Sequence, residues 1–358
     1  MAKKRVQYLD IIKVVSIFLI VFVHFVLLSE TIPANFCMMA CLAGVPMFFM
    51  VNGALLFSRP LDLRKHIRKT IMVYLVLVIW RLLYLPIVGP ACQVDVLSFG
   101  KGRLLSYLFA FGNLEGLQIG HLWFMEALLA VYVVFPLFWI AFYLKFGGRI
   151  TLFFAVYSLV MTNGMTGMQM ALDALARAGI ALGCDITGLE VLNPFGLYAN
   201  MLGFFLLGAW IHLSWDDGKN RKKWGLPGLA AGLLGLAGMW AVKWYTSGSP
   251  AWDGSYLDQG YRHIPVVFMA VGFFLFFRSL TIRNSIAARI LEAVASRTLG
   301  IYYLHWIFGW LFVPHLALVF SGYNVGTNIL RTFAQLIPAL ALTLLLERIP
   351  MIKHLVTG

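Results

Sequence analysis

Charge is scarce in this sequence, and acidic charge scarcest: its 358 residues hold 15 Asp and Glu against 28 Lys and Arg, 12% charged in all. A soluble globular chain carries about 25% charged and roughly 45–50% apolar residues. Here 61% are apolar and the mean hydropathy is +0.84, which excludes the soluble globular class. Cysteine is nearly absent too, with four in the chain. Cys37 and Cys41 lie one turn apart in an apolar stretch and read as packing residues, while Cys92 and Cys184 fall in connections on one side and are a candidate pair. No Cys/His metal spacing, Gly-x-Ser-x-Gly elbow or Gly-Lys-Ser/Thr phosphate loop occurs, so neither a metal site nor a serine nucleophile is supported. No internal repeat is evident, which weighs against the inverted-repeat transporters. The first apolar stretch has no small-residue cleavage site after it and is expected to be a retained span.

What is present is a series of apolar runs about 20 residues long, the length an α-helix needs to cross the hydrocarbon core. Ten spans are expected, at about 10–29, 35–58, 70–89, 121–144, 150–166, 195–213, 225–245, 264–280, 298–318 and 327–348. Of the 28 Lys and Arg, twenty then fall on the side of the amino terminus, six on the opposite side, and Lys13 and Arg81 inside spans. The positive-inside rule places both termini in the cytoplasm. The net charge of +13 is scattered in short clusters, a topology signal rather than a nucleic-acid surface. The expected architecture is all-α: one polytopic integral membrane domain over residues 1–358, with no appended soluble domain. Leu104–Phe111 and Met168–Ile180 are expected as interfacial or re-entrant helices, and Ser285–Ala295, with Arg289 and Glu292, as a helix lying on the membrane surface.

The ionisable residues inside the apolar runs are the candidates for chemistry, because such groups are costly at that depth and usually face a bundle interior or a wet cavity. Asp10 and Lys13 are three apart on the first span and can pair. His24 follows Lys13 by eleven residues, roughly 16 Å at about 1.5 Å per residue, and is either a functional imidazole or a hydrogen-bonder between helices. Arg81 sits mid-span in the third run and needs a partner or a water-filled cavity. Gly120-His121-Leu-Trp123-Phe-Met-Glu126 opens the fourth, and His121 with Glu126 could position an acceptor hydroxyl. The basic cluster Arg59-Pro-Leu-Asp-Leu-Arg64-Lys65-His66-Ile-Arg68-Lys69 precedes the third span. It is either a contact for anionic membrane lipids or a seat for a phosphorylated ligand, with Arg64 and Arg68 one turn apart. Arg297 and His305 stand eight residues apart on the ninth span, where a structural hydrogen bond is the simpler role for His305.

Four of these segments occur together: Asp10 with Lys13-x10-His24, Gly44-Val-Pro46-Met-Phe-Phe-Met-Val-Asn-Gly53, His121-Leu-Trp-Phe-Met, and Thr298-Leu-Gly-Ile-Tyr-Tyr-Leu-His305. In order and spacing they resemble the membrane-bound acyltransferase 3 family over nearly the whole chain. The family usually has Arg at the position of Lys13, and a lysine supplies a point charge where an arginine supplies a planar fork. The resemblance implies an acyl-CoA-dependent O-acyltransferase of a bacterial plasma (inner) membrane. Such an enzyme moves an acyl group, acetyl in the first place, from cytosolic acyl-CoA to a hydroxyl of a cell-surface glycan or lipid-linked sugar.

On that reading His24 is the leading catalytic residue and base, with Asp10, Arg81, His121 and Glu126 as further catalytic candidates and Arg81 a donor to the developing oxyanion. Lys13, Arg64, Lys65, Arg68, Lys69, Arg297 and His305 are the candidate donor-binding residues, and no metal is called for. An acyl-enzyme on His24 is the alternative within this reading. A transporter or exporter of a glycan or small molecule, with His24, Arg81, Glu126 and His305 along its path, is the alternative to it. Trp244, Trp252, Tyr256 and Tyr261, with Asp253 and Asp258, form an aromatic and acidic cluster suited to stacking on sugar rings or to anchoring at the interface.

Overall fold

The computed structural model describes residues 5–24, 32–180, 182–215, 220–247, 260–319 and 324–357. Among them every regular element is helical. The chain runs through α1 (Gln7–His24), α2 (Ile32–Cys41), α3 (Gly44–Phe57), α4 (Leu63–Ala91), α5 (Lys101–Phe109), α6 (Trp123–Phe142), α7 (Gly147–Leu159) and α8 (Met165–Arg177). It continues with α9 (Ala199–Leu213), α10 (Asn220–Lys223), α11 (Gly225–Ser247), α12 (Ile264–Ser279), α13 (Ser285–Ala295), α14 (Thr298–Val319) and α15 (Val325–Leu346). Among the described residues seven stretches are long and apolar enough to cross a membrane, and α9 and α12 are shorter apolar helices. These helices and α14 overlap the apolar runs read from the sequence. The protein is an all-α polytopic membrane protein. The end of the first expected span, 25–29, lies outside the described residues, as do Trp252, Asp253, Tyr256 and Asp258.

The bundle is organised around its first two spans. Phe36–Phe57 is 72% buried and Gln7–His24 61%, against 28% for Val325–Leu346, so the early helices form the centre and the late one the rim. Helix α1 packs against α3, α12, α13, α14 and α15. On the outside, α4 bares Leu63, Ile67, Ile71, Leu75 and Leu82, and α6 bares Val133 and Leu137. Long helices with bare apolar faces and all backbone bonds internal are what a bilayer accepts.

Helices α3 and α9 cross at backbone contact. A Cβ at Gly53 would lie 1.8 Å from the Phe205 carbonyl oxygen, and one at Gly208 would lie 2.1 Å from that of Met50. Small residues at such crossings replace the hydrophobic drive that lipid cannot supply. Gly208→Ala is therefore expected to separate the two helices, costing about 1–3 kcal/mol as overpacking and lowering the thermal midpoint in detergent. An unchanged midpoint would refute the crossing.

Two connecting helices differ in kind from each other. Ser285–Ala295 is a helix, as expected: Asn284 caps it by accepting from the Ile286 and Ala287 N–H groups, and Ile286 and Ile290 are exposed. Met168–Ile180, expected as an interfacial or re-entrant helix, continues the helix of the fifth span as far as Arg177. A π-turn over Val160–Gly164 links α7 to α8 with no break, since a π-turn absorbs one extra residue without surrendering the helical bonds. Leu104–Phe111 matches α5, which closes over α4. Cys92 is half-buried and Cys184 exposed, and both are free thiols, so the candidate pair is not formed.

Candidate active site

Three histidines from three separate spans meet in the centre of the bundle. His24 ends α1, His121 sits in the 3-10 turn Gly120–Leu122 that leads into α6, and His305 lies two turns into α14. Ring centroids are 5.5 Å apart for His24 and His305, 6.1 Å for His24 and His121, and 5.7 Å for His121 and His305. Trp306 stacks on His121 at 4.1 Å and meets His24 edge-on at 5.2 Å. Among the described residues no group of three His, Cys, Asp or Glu side chains is arranged to hold a metal ion.

Hydrogen bonds assign the tautomers of two of these rings. Tyr84 has one hydroxyl proton, and its Oη donates to the Tyr303 carbonyl at 2.8 Å while lying 3.2 Å from His121 Nε2. Nε2 must then be the N–H donor to Tyr84, leaving the His121 lone pair on Nδ1. His305 Nδ1 lies 3.2 Å from the Ile301 carbonyl, an oxygen that only accepts, so the His305 lone pair is on Nε2. His121 Nδ1, His305 Nε2 and His24 Nδ1 are buried and make no hydrogen bond of good geometry to a described residue. Buried polar atoms are normally paired, and an exception points to a role in chemistry or ligand binding.

Two cavities of different character approach this cluster from opposite ends of the bundle. One, of about 230 Å³, brings Lys13, Arg59 and Lys69 together with Asn52 among apolar side chains, and reaches Ile20, Phe124 and Tyr302. The other, of about 370 Å³, is lined by Arg81, Glu126, Asn113, Asn200, Arg262 and the rings of Trp123, Tyr198 and Tyr261. Between them lies a junction of about 10 Å³ that shares Ile20, Phe124 and Tyr302 with the first cavity and Trp123 and Tyr261 with the second, with His24 and His121 on its wall. The wall of the second cavity is held by the π-turn. Asn163 donates to the Tyr261 and His263 carbonyls, each at 3.0 Å, which fixes the segment carrying Arg262.

The remaining sequence candidates are placed as follows. Asp10 is paired with Arg5 rather than Lys13: Arg5 Nε reaches Oδ2 at 2.5 Å and Nη2 reaches Oδ1 at 3.0 Å. A guanidinium fork satisfies both carboxylate oxygens at once, which leaves Lys13 to the cavity. Arg81 and Glu126 form a buried ion pair, and Arg81 also donates to the Tyr107 and Gly112 carbonyls at 2.8 and 3.1 Å. Both line the 370 Å³ cavity, so Arg81 is not at the histidine junction and Glu126 is the partner of Arg81, not of His121.

Arg64, Lys65 and Arg68 are exposed in the first turns of α4, which Asp62 caps by accepting from the Lys65 N–H at 3.0 Å. That bond, with the Lys65 ammonium 3.1 Å from Asp62, holds the Asp62 carboxyl below its ordinary range. Lys65 and Arg68 line a flanking apolar groove shared with Lys69. Arg297 is bonded to Glu347 at 2.9 Å and to the Ala293 carbonyl at 2.9 Å, which ties the start of α14 to the end of α15. His305 belongs to the histidine cluster and not to the basic cavity. Asn52, Tyr84 and Trp306 were not singled out from the sequence, and Arg59 entered only as the first residue of the basic cluster; Asn52 stands inside a segment that carries the family resemblance, and Trp306 directly follows His305.

A family model described as an acyltransferase domain matches residues 6–348. The chain belongs to the acyltransferase 3 family. Neither the curated proteins nor the solved structures gave a match. As an acyltransferase 3 member the protein is a membrane acyltransferase, and of the three histidines, each in a segment that carries the resemblance, His24 and His121 stand where its two cavities converge, with His305 packed beside them.

Proposed function

We propose that this acyltransferase 3 member takes an acyl group, acetyl in the first place, from cytosolic acyl-CoA and transfers it to a hydroxyl of a cell-surface glycan or lipid-linked sugar. The setting is a bacterial plasma (inner) membrane, with both termini and the Arg59 cavity on the cytoplasmic side. The observation that carries this reading is the meeting of two unlike cavities at His24 and His121. A donor with phosphates at one end and a thioester at the other suits the first cavity, where Lys13, Arg59 and Lys69 supply cations beside apolar side chains such as Ile17, Ile20 and Leu128. An acceptor rich in hydroxyls suits the second, where stacked Trp123 and Tyr198 present ring faces and Asn113, Asn200 and Glu126 present amides and a carboxylate.

In this mechanism His24 takes the acceptor's hydroxyl proton as the oxygen attacks the thioester carbonyl carbon. The C–S bond then breaks, and the same imidazolium returns the proton to the departing thiolate. Arg59 and Lys69 hold the donor from below, so binding energy far from the carbonyl positions it. The exporter alternative needs a continuous passage, and a junction of about 10 Å³ has room for about one water.

The test is the affinity of acetyl-CoA for the detergent-purified protein at low and high salt. A charge-assisted bond contributes about 1.5–3 kcal/mol, so Arg59→Gln and Lys69→Gln should each weaken binding by roughly 10–150-fold, with a steep salt dependence. Arg64→Gln, in the exposed first turn of α4, should cost less. Equal losses at Arg59 and Arg64, or none at either, would move the donor out of this cavity.

A further inference from the structure

We infer that the histidine junction is an acyl-length gate, in which Val45 and Phe124 limit the transferred group to the size of acetyl; the inference rests on the acyl-CoA reading above. If a donor reaches the histidines from the Arg59 cavity, its long arm occupies that cavity and its carbonyl stands at the junction, where the acceptor oxygen must also arrive, so the acyl chain has only the space that the junction wall leaves. The junction has about 10 Å³ and is walled by Val23, Val45, Phe124 and Tyr302 beside His24 and His121. One water-sized group fills such a space. A methyl group matches it, and each further methylene must displace the wall.

The wall is not built to give. Val23, Val45, Phe124 and Tyr302 are 6%, 5%, 4% and 3% exposed. Phe124 is wedged between Phe48, Phe49 and Tyr302 at ring distances of 5.6, 5.2 and 5.2 Å. Tyr302 is tethered by its hydroxyl, which donates to the His121 carbonyl at 2.6 Å. Phe124 and Tyr302 also border the 230 Å³ cavity, and the ring contacts together with the Tyr302 hydrogen bond hold them against the junction. Shape at the junction thus discriminates by chain length, whereas the cations of the Arg59 cavity hold the part of the donor that all acyl-CoAs share.

The experiment compares release of free CoA thiol from acetyl-, butyryl- and octanoyl-CoA by the full-length protein in detergent, with water as acceptor, for the unmodified chain, Val45→Ala and Phe124→Leu. A methylene in a shape-selective pocket is worth about 10–200-fold, so the unmodified protein should favour acetyl over butyryl by roughly 100-fold or more in kcat/KM. Either variant should reduce that ratio at least tenfold, mainly through kcat for the longer chains, while octanoyl-CoA still binds competitively with acetyl-CoA. A loss that is equal for all three thioesters marks a merely structural wall and overturns the gate, as does octanoyl-CoA turning over as fast as acetyl-CoA in the unmodified protein. If one variant does not fold, the other decides. Release from none of the thioesters by the unmodified protein overturns the donor reading itself, and the gate with it.

Discussion

Replacing His24 with alanine should lower acyl transfer by about 10²–10⁴-fold, the usual worth of a placed proton acceptor, and should leave acetyl-CoA affinity nearly unchanged. The reason is spatial. His24 is on the wall of the junction, while Lys13, Arg59 and Lys69 belong to the cavity on one side of it, so the groups that bind and the group that moves the proton are separate. Removing the ring also opens space beside His121 and Trp306, and small imidazole entering from the 370 Å³ cavity should restore part of the rate. The measurement is single-turnover thiol release with and without imidazole, alongside equilibrium binding. A full rate in the alanine variant would remove His24 from the chemistry and turn attention to His121, whose Nδ1 lone pair is already set by Tyr84.

The second large effect is expected on stability. Arg81 is 2% exposed in its side chain and Glu126 16%, so Glu126→Ala leaves a buried guanidinium without its counter-charge. Breaking a buried pair by removing one partner costs about 3–5 kcal/mol. The thermal midpoint in detergent should drop sharply, and Glu126→Gln, which still accepts a hydrogen bond, should lose less. Exchanging both partners for apolar residues, Arg81→Met with Glu126→Leu, should recover much of the loss, because the desolvation of both charges goes with them. The double variant would still lack the carboxylate on the wall of the second cavity, so recovered stability with poor transfer would separate the structural share of the pair from its share in acceptor binding. If Glu126→Ala melts like the unmodified protein, the ion pair contributes nothing and the Tyr107 and Gly112 carbonyls alone support Arg81.

Several parts of the site were legible in the residues, but their partnerships were not. His24, His121 and His305 each stand out as imidazoles in apolar runs, yet they are 97 and 184 residues apart in pairs along the chain, and nothing in a single span says which others it will face. Arg81 and Glu126 were readable as two costly charges and turned out to be one pair, 45 residues apart. The i,i+3 spacing of Asp10 and Lys13 made them natural partners, but Arg5 sits beside the helix start and its fork outcompetes a single ammonium. Arg64 and Arg68 share a helix face as expected, and that face points outward because α4 packs through Val76, Leu77, Trp80 and Tyr84. Arg59 reaches the cavity instead, just past the end of α3.

By itself the amino-acid sequence determined that this is a helical, polytopic membrane protein and which family it belongs to. Those follow from the length of apolar runs and the order of four motifs, which need no knowledge of how helices turn. Only the tertiary structure decided which faces meet, and so which polar residues line the cavities and which merely brace the bundle. The physical reason is the solvent: lipid is as apolar as a protein core, so a membrane helix carries little hydrophobic asymmetry to say which side is inside. That information resides in backbone contacts such as Gly53 against Phe205 and in buried bonds such as Tyr84 to His121, and these form only when the helices are packed.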